Sequence, residues 1–147
     1  MNTPVVSWDT YAHKYDMLIQ YNPFYQRLHQ QVFKLIADWQ IAEEGTILDL
    51  GAGTGNYSIT LAQKFPRATI IHADKDAGMN AVARDKIQSK GITNLSILES
   101  GVEDMNFSSG SLEAVISIHA LYTFPHPEQA LQKVYQWLQP GGKALLV

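Results

Sequence analysis

A short apolar run beginning at Thr46 ends in an acid, Asp49, and enters a loop in which Gly51, Gly53 and Gly55 alternate with Ala52 and Thr54. Behind the loop, Ile59, Leu61, Ala62 and Phe65 recur at helical spacing. A buried strand, a glycine loop and a helix in that order open a cofactor-binding α/β domain. Without Cβ, the loop backbone can turn sharply and take positive φ. A ligand can then lie on the main chain, facing the N–H groups at the helix start. The spacing is Gly-x-Gly-x-Gly, not the Gly-x-Gly-x-x-Gly that seats a pyrophosphate. Asp49 would repel a phosphate at this place and attract a cation, which disfavours a nicotinamide-dependent oxidoreductase. The plainer alternative is a tight turn that binds nothing.

A chain of 147 residues, nearly half of them apolar, is about one domain with a single core. Its net charge of −3 and the lack of a basic stripe argue against a nucleic-acid partner. Without cysteine it has no disulfide and no thiolate metal site, and no metal is expected. Residues 1–9 lack a basic n-region and an apolar h-region, so no signal peptide is read there. No apolar run approaches a membrane span. The expected setting is cytoplasmic, with no membrane partner.

The run Asp49-Leu50-Gly51-Ala52-Gly53-Thr54-Gly55 resembles the nucleotide-binding signature of class I S-adenosylmethionine-dependent methyltransferases. The resemblance implies an α/β, Rossmann-like three-layer sandwich with a parallel sheet ordered 3-2-1-4-5. It implies S-adenosylmethionine as cofactor and S-adenosylhomocysteine as product. That cofactor is a sulfonium zwitterion with an ammonium group and no phosphate, which suits an acid beside the loop. It places Asp49, Gly51, Ala52, Gly53, Gly55 and Asn56 against the cofactor. Residues 46–147 form the cofactor-binding domain, and residues 1–45 a helical lid or cap within the same domain.

In that N-terminal segment Tyr11 and Tyr15 are four apart and share a helix face. They either pack an aromatic stripe on the domain or cover the cofactor. In the family a tyrosine of a similar Tyr-Asp segment reaches the cofactor's methionine end, and Tyr15-Asp16 loosely resembles it. Asn22 and Pro23 start a second helix. Phe24, Leu28, Val32, Leu35, Ile36 and Trp39 form its core face, and His29 is expected at the surface.

Residues 68–73 read as a second strand ending at Asp74, about twenty residues past the glycine loop, where such folds place an acid for ribose hydroxyls. Asp76 is the rival for that role, or the cap of the helix from Ala77. The family's acid precedes a helix with a conspicuous Met, and Lys75 and Met79 match that pattern. After a third strand at residues 95–98, residues 99–107 resemble the family's adenine-binding segment. Gly101 stands where the family has an acid, Val102 keeps the backbone contact, and Glu103 or Ser100 is the substitute acid or donor.

Residues 112–118 read as a fourth, buried strand. The open-sheet rule puts the ligand crevice between strands one and four, bringing Ser117 to the cofactor and His119 to the acceptor. His119 is the candidate catalytic base, since imidazole titrates near neutrality; a histidine bonded to backbone at a strand end is the alternative. Tyr122 either walls the site or joins the core. A helix from Pro127, with Ala130, Leu131, Val134, Trp137 and Leu138 inward, stops at Pro140-Gly141-Gly142, and residues 143–147 are a fifth strand. Leu138-Gln139-Pro140-Gly141-Gly142 matches the family's Leu-x-Pro-Gly-Gly turn.

The family's last two strands are missing after Val147. The expectation is therefore a chain incomplete at its C-terminus, or a homodimer covering an apolar fifth strand. The expected function is methyl transfer to a small-molecule acceptor; the alternative is a non-catalytic or truncated module that binds S-adenosylmethionine.

Overall fold

The computed structural model describes residues 7–147, apart from the side chain of Asp9. The reading of residues 1–6 lies outside these. The elements are α1 (Trp8–Tyr21), α2 (Pro23–Leu35), β1 (Thr46–Leu50), α3 (Asn56–Lys64), β2 (Thr69–Asp74), α4 (Ala77–Ser89), β3 (Leu95–Glu99), β4 (Leu112–Ser117), a single 3-10 turn at Leu121–Thr123, α5 (Pro127–Trp137) and β5 (Leu138–Leu146). The strands form one parallel sheet ordered β3-β2-β1-β4-β5, the expected topology.

Side chains alternate across the sheet, and both faces are apolar. Ile47, Ile70 and Ile116 meet α2 and α3 through Val32 and Leu61 on one side. Leu48, Leu50 and Val115 meet Ala130, Val134 and Trp137 of α5 on the other. The helix starts follow their caps. Asn22 accepts from the Phe24 N–H ahead of Pro23, and Asp76 accepts from the Met79 N–H at the head of α4. Asp76 is thereby the cap of α4.

Four expectations about packing are corrected. Phe24 and Leu35 do not join the core; they are more than half exposed, because α2 packs on the core through Leu28, Val32 and Phe33, with Ile36 just after it. Leu131 is also exposed. His29 is not a surface residue: it is half buried between the rings of Phe33 and Tyr57, with Nε2 near the Asn56 carbonyl and Thr60 Oγ1. Finally, α5 stops at Trp137, not at Pro140, and β5 begins at once. The Trp137 ring is anchored edge-on to Phe107, which delivers Leu138 to Leu112 of β4. Pairing resumes only at Lys143 opposite Ala114, so residues 139–142 loop out within β5. Gly141 takes φ +78° in that loop, and a Cβ on Gly142 would strike the Gln139 carbonyl.

Candidate functional site

Parallel register sets Asp49 of β1 directly beside His72 of β2, on the face covered by α3 and α4. One residue past β1 the chain turns. The Gly51 and Ala52 N–H groups both donate to the Ala73 carbonyl, at 2.8 and 3.0 Å, which lashes the loop to the end of β2. Gly51 has φ +71°, and a Cβ there would overlap the methyl of Ala120 beyond β4. Gly53 also has positive φ, but a Cβ there would meet nothing within 4 Å, because it faces the cavity. Asp74 closes the arrangement: Oδ2 accepts from the Gly53 N–H at 2.8 Å and Oδ1 from the Asp76 N–H at 2.9 Å. Each oxygen retains further acceptor capacity toward the cavity. Burial raises the Asp74 carboxyl above its ordinary range, against these two hydrogen bonds.

Behind the loop lies a polar cluster that sequence reading missed. Ser58 Oγ of α3 sits 2.6 Å from Asp49 Oδ2 and 3.0 Å from His72 Nδ1, and His72 Nε2 meets Asn80 Oδ1 of α4 at 3.1 Å. All four residues are buried. Burial pushes the Asp49 carboxyl up to about 7, with the charge of Asp74 adding and the contact with Ser58 opposing. Burial drives His72 down to about 4, and Lys86 and Arg84 add to the effect. The available signal was His72 itself, a polar residue set among Ile70, Ile71 and Ala73 in the middle of β2.

On the β3 side, residues 100–105 are held from α5, since Lys133 Nζ donates to the carbonyls of Val102, Glu103 and Met105. Lys133 was not singled out in the sequence. The Glu103 carboxylate folds back over Gly101 and fills the space a side chain at 101 would occupy. Val102 is buried and Glu103 exposed, and both border the cavity.

The N-terminal helix forms the opposite wall. Asp16 accepts from Thr54 of the glycine loop, from Asn56 at the head of α3 and from Lys86 of α4 at 2.8 Å, tying α1 to all three. Burial alone would raise the Asp16 carboxyl; hydrogen bonds from Lys86, Thr54 and Asn56 more than offset this and hold it low. So pinned, α1 turns Tyr15, Trp8 and Ile19 into the cavity. Burial raises the Tyr15 hydroxyl to about 12.

Beyond β4, His119 has φ +54°, and its N–H donates to the Val147 carbonyl at 2.7 Å. Its ring lies face-on to Phe24 and edge-on to Tyr25, with centroids 6.2 and 6.0 Å away. Tyr122 stands exposed at the rim, walling the site and not the core. Ser117 does not reach the cavity: it is fully buried, and its hydroxyl donates to the Leu50 carbonyl at 2.8 Å. Gly55 also stays behind the surface, as the N-cap of α3 with φ +85°.

These walls enclose a cavity of about 470 Å³, bordered by Asp49, Gly51, Ala52, Gly53, Asn56, Asp74, Lys75, Met79 and Gly101, together with the residues of α1 and the 119–124 segment. It lies at the carboxyl ends of the strands, where strand order reverses between β1 and β4. Among the described residues no group of His, Asp or Glu is placed to hold a metal, and no helix is long and apolar enough to cross a membrane.

The sequence model of the family described as methyltransferase domain matches residues 47–142. The chain belongs to that family. This methyltransferase domain is 33% identical over 101 residues to a demethylmenaquinone methyltransferase of Thermus thermophilus, covering 69% of this chain and 46% of that protein. It is 27% identical over 143 residues to a ubiquinone/menaquinone biosynthesis C-methyltransferase of Haemophilus ducreyi, covering 92% and 53%. The chain thus spans about half the length of these curated relatives. Its fold matches a Haemonchus contortus phosphoethanolamine N-methyltransferase solved with S-adenosylhomocysteine, with a TM-score of 0.80, 20% identity, and coverage of 94% of this chain and 32% of that one.

Proposed function

We propose that this methyltransferase domain binds S-adenosylmethionine and serves methyl transfer to a small-molecule acceptor. The observation that carries the reading is the pair of acids, Asp49 and Asp74, ending adjacent strands over one glycine loop in one cavity. Two acids suit a ligand with an ammonium and a diol, and they oppose a pyrophosphate. Gly53, whose missing Cβ leaves open space on the cavity side, suits close approach of such a ligand to the main chain. Relatives named for quinone biosynthesis support a small acceptor.

When bound, S-adenosylmethionine supplies a methyl carbon already activated by a sulfonium leaving group. The residues' work is then to position, orient and exclude water. Asp74, its orientation fixed by two backbone N–H groups, accepts from the ribose hydroxyls. Asp49 faces the ammonium, beside the backbone of Gly51 and Ala52. Glu103 takes the place of the family's acid at Gly101 and accepts from the adenine amino group, while the Val102 N–H serves a ring nitrogen. Lys75 and Met79 flank the nucleoside. Tyr15 covers the methionine end and excludes water. His119 accepts the acceptor's proton where the attacking atom is oxygen or nitrogen. His119→Ala is then expected to lower turnover and leave cofactor affinity unchanged; unchanged turnover would remove that role.

Because the chain spans about half of its relatives, a reading in which it binds cofactor without turning over alone predicts the same binding and differs only in activity. Calorimetric titration with S-adenosylmethionine and S-adenosylhomocysteine near pH 7.5 tests both. Asp74→Ala removes two hydroxyl contacts of about 1.5–3 kcal/mol each, so affinity should fall at least about a hundredfold. An Asp74→Ala variant that binds as the wild type does would overturn the assignment.

A further inference from the structure

Asp49 of β1, Ser58 of α3, His72 of β2 and Asn80 of α4 form a continuous buried chain of hydrogen bonds. Its hydrogens can be counted from its far end. Asn80 Nδ2 faces two acceptors, the Asp74 carbonyl at 3.0 Å and Glu99 Oε2 at 3.2 Å. The amide is therefore oriented with Oδ1 toward His72. Oδ1 only accepts, so His72 Nε2 carries a hydrogen. His72 is fully buried, with Lys86 and Arg84 of α4 acting against its cation, and it is neutral. Its Nδ1 is then bare and takes the one hydrogen of the Ser58 hydroxyl. The same Ser58 oxygen lies 2.6 Å from Asp49 Oδ2. With its own hydrogen spent, Ser58 can only accept there, and the donor is a protonated Asp49.

We propose that the chain stores a proton on Asp49 in the free protein and surrenders it when a cationic ammonium enters the cavity, with His72 setting the switch by its tautomer. This rests on the cofactor reading given above. In the bound state Asp49 is a carboxylate and Ser58 donates to it. His72 moves its single hydrogen from Nε2 to Nδ1, donates to Ser58, and gives up its bond to Asn80. One proton leaves to solvent, and every hydrogen is accounted for. The surrounding charges favour the same two states. Asp74 of β2 repels an ionised Asp49 until a cation arrives. Tyr15 of α1 and Tyr57 of α3, whose hydroxyls are both held up by burial, face Asp49 as neutral groups. His72 acts as a positioning residue: it touches no ligand and controls the charge that does.

The test titrates the intact protein with S-adenosylhomocysteine, which carries the same ammonium. Calorimetry in two buffers of different ionisation enthalpy counts the protons exchanged, and the ring nitrogen resonances of His72 report its tautomer in the free and bound states. The expected result is about one proton released per site near pH 6 and almost none near pH 8, where the ligand is still an ammonium, with affinity falling about tenfold per pH unit below about 7. His72 should pass from Nε2–H to Nδ1–H on binding. Asp49→Asn keeps a donor to Ser58 and so preserves the fold. It should release no proton, show affinity independent of pH, and leave His72 in the Nε2–H form. Binding with no proton release near pH 6 and an unchanged His72 tautomer would overturn the proposal while the cofactor reading stands. Absence of binding at every pH would instead overturn the cofactor reading. The resting proton is then decided in the free protein. An infrared band of a protonated carboxyl, lost in Asp49→Asn, with His72 as Nε2–H, supports it; His72 as Nδ1–H overturns it.

Discussion

At the strand-end side of the cavity, Asp49 and Asp74 are fixed by backbone N–H groups, parallel register and a buried side-chain cluster. At the side bordered by His119 and Tyr122, rings meet other rings and solvent: Phe24, outside the cavity lining, stacks on His119, and Phe24 and Tyr122 are both mostly exposed. The first region is dictated by the fold, since moving either acid means breaking the sheet or leaving buried groups unpaired. The second can change residue by residue at little cost in stability. On the proposed reading, the fixed region is the cofactor end and the permissive region the acceptor end, a division that would let one scaffold serve many acceptors.

Breaking the fixed side should cost the most. Gly51→Val combines a left-handed backbone, costing about 1–2 kcal/mol, with overpacking against Ala120, costing about 1–3 kcal/mol more. The expected outcome is a large drop in thermal midpoint or no soluble protein. Gly53→Ala pays only the backbone cost, because its Cβ would point into open cavity. It should stay folded by circular dichroism and lose ligand affinity. Equal destabilisation by the two changes would contradict the geometry of the loop.

Asp49→Asn sharpens the comparison through pH. The Asp49 carboxyl titrates at about 7 in the fold and near 3.9 when unfolded. The fold therefore holds more protons in that window, and this group's contribution to stability falls as pH rises through it. His72, at about 4 in the fold and near 6.5 unfolded, has the opposite sign, and its contribution is lost as pH falls from about 6.5 to 4. The two oppose each other where the windows overlap. Asp49→Asn should thus be more stable than wild type near pH 8, by on the order of a few kcal/mol. The gap should close toward pH 4, and between about pH 4 and 6.5 the variant's stability should rise with pH. Denaturant unfolding across pH checks both signs.

Glu103→Ala should weaken cofactor affinity about tenfold, the worth of one charge-assisted hydrogen bond, with little change in stability because the side chain is exposed. Gly101→Asp on that background should recover affinity, since the carboxylate that fills the space is gone. The smallest effect belongs to the permissive side. Tyr122→Ala, at an exposed residue of the cavity rim, should change stability by less than about 0.5 kcal/mol and leave cofactor affinity unchanged, while raising KM for the acceptor. A stability loss comparable to that of a core residue would erase the distinction between the two ends.

The legible parts of this molecule follow the same division. The five strands and the glycine loop were readable because buried parallel strands are apolar runs and because turns demand glycine, while the order of the strands came from the family resemblance carried by residues 49–55. Asp74 and Asp76 were separable by role, since one ends a strand and the other caps a helix. The Ser58–His72–Asn80 cluster was not readable: its members are scattered along the chain and meet only through register and helix docking. His29 misled because polar neighbours in sequence say nothing of the Tyr57 and Phe33 rings that sandwich it. Ser117 misled because its place at the carboxyl end of β4 suggested a ligand contact, whereas its hydroxyl turns inward to Leu50. Phe24 and Leu35 fit a helical stripe wider than the one the sheet covers.

The most direct measurement is an amide NMR titration of the intact chain with S-adenosylhomocysteine, with NADH as the control ligand. The account predicts saturable shifts at Gly51, Gly53, Lys75, Val102 and Glu103, little change along α5 beyond Lys133, and no response to NADH. Shifts that avoid the glycine loop, or a saturable response to NADH with none to S-adenosylhomocysteine, would contradict it.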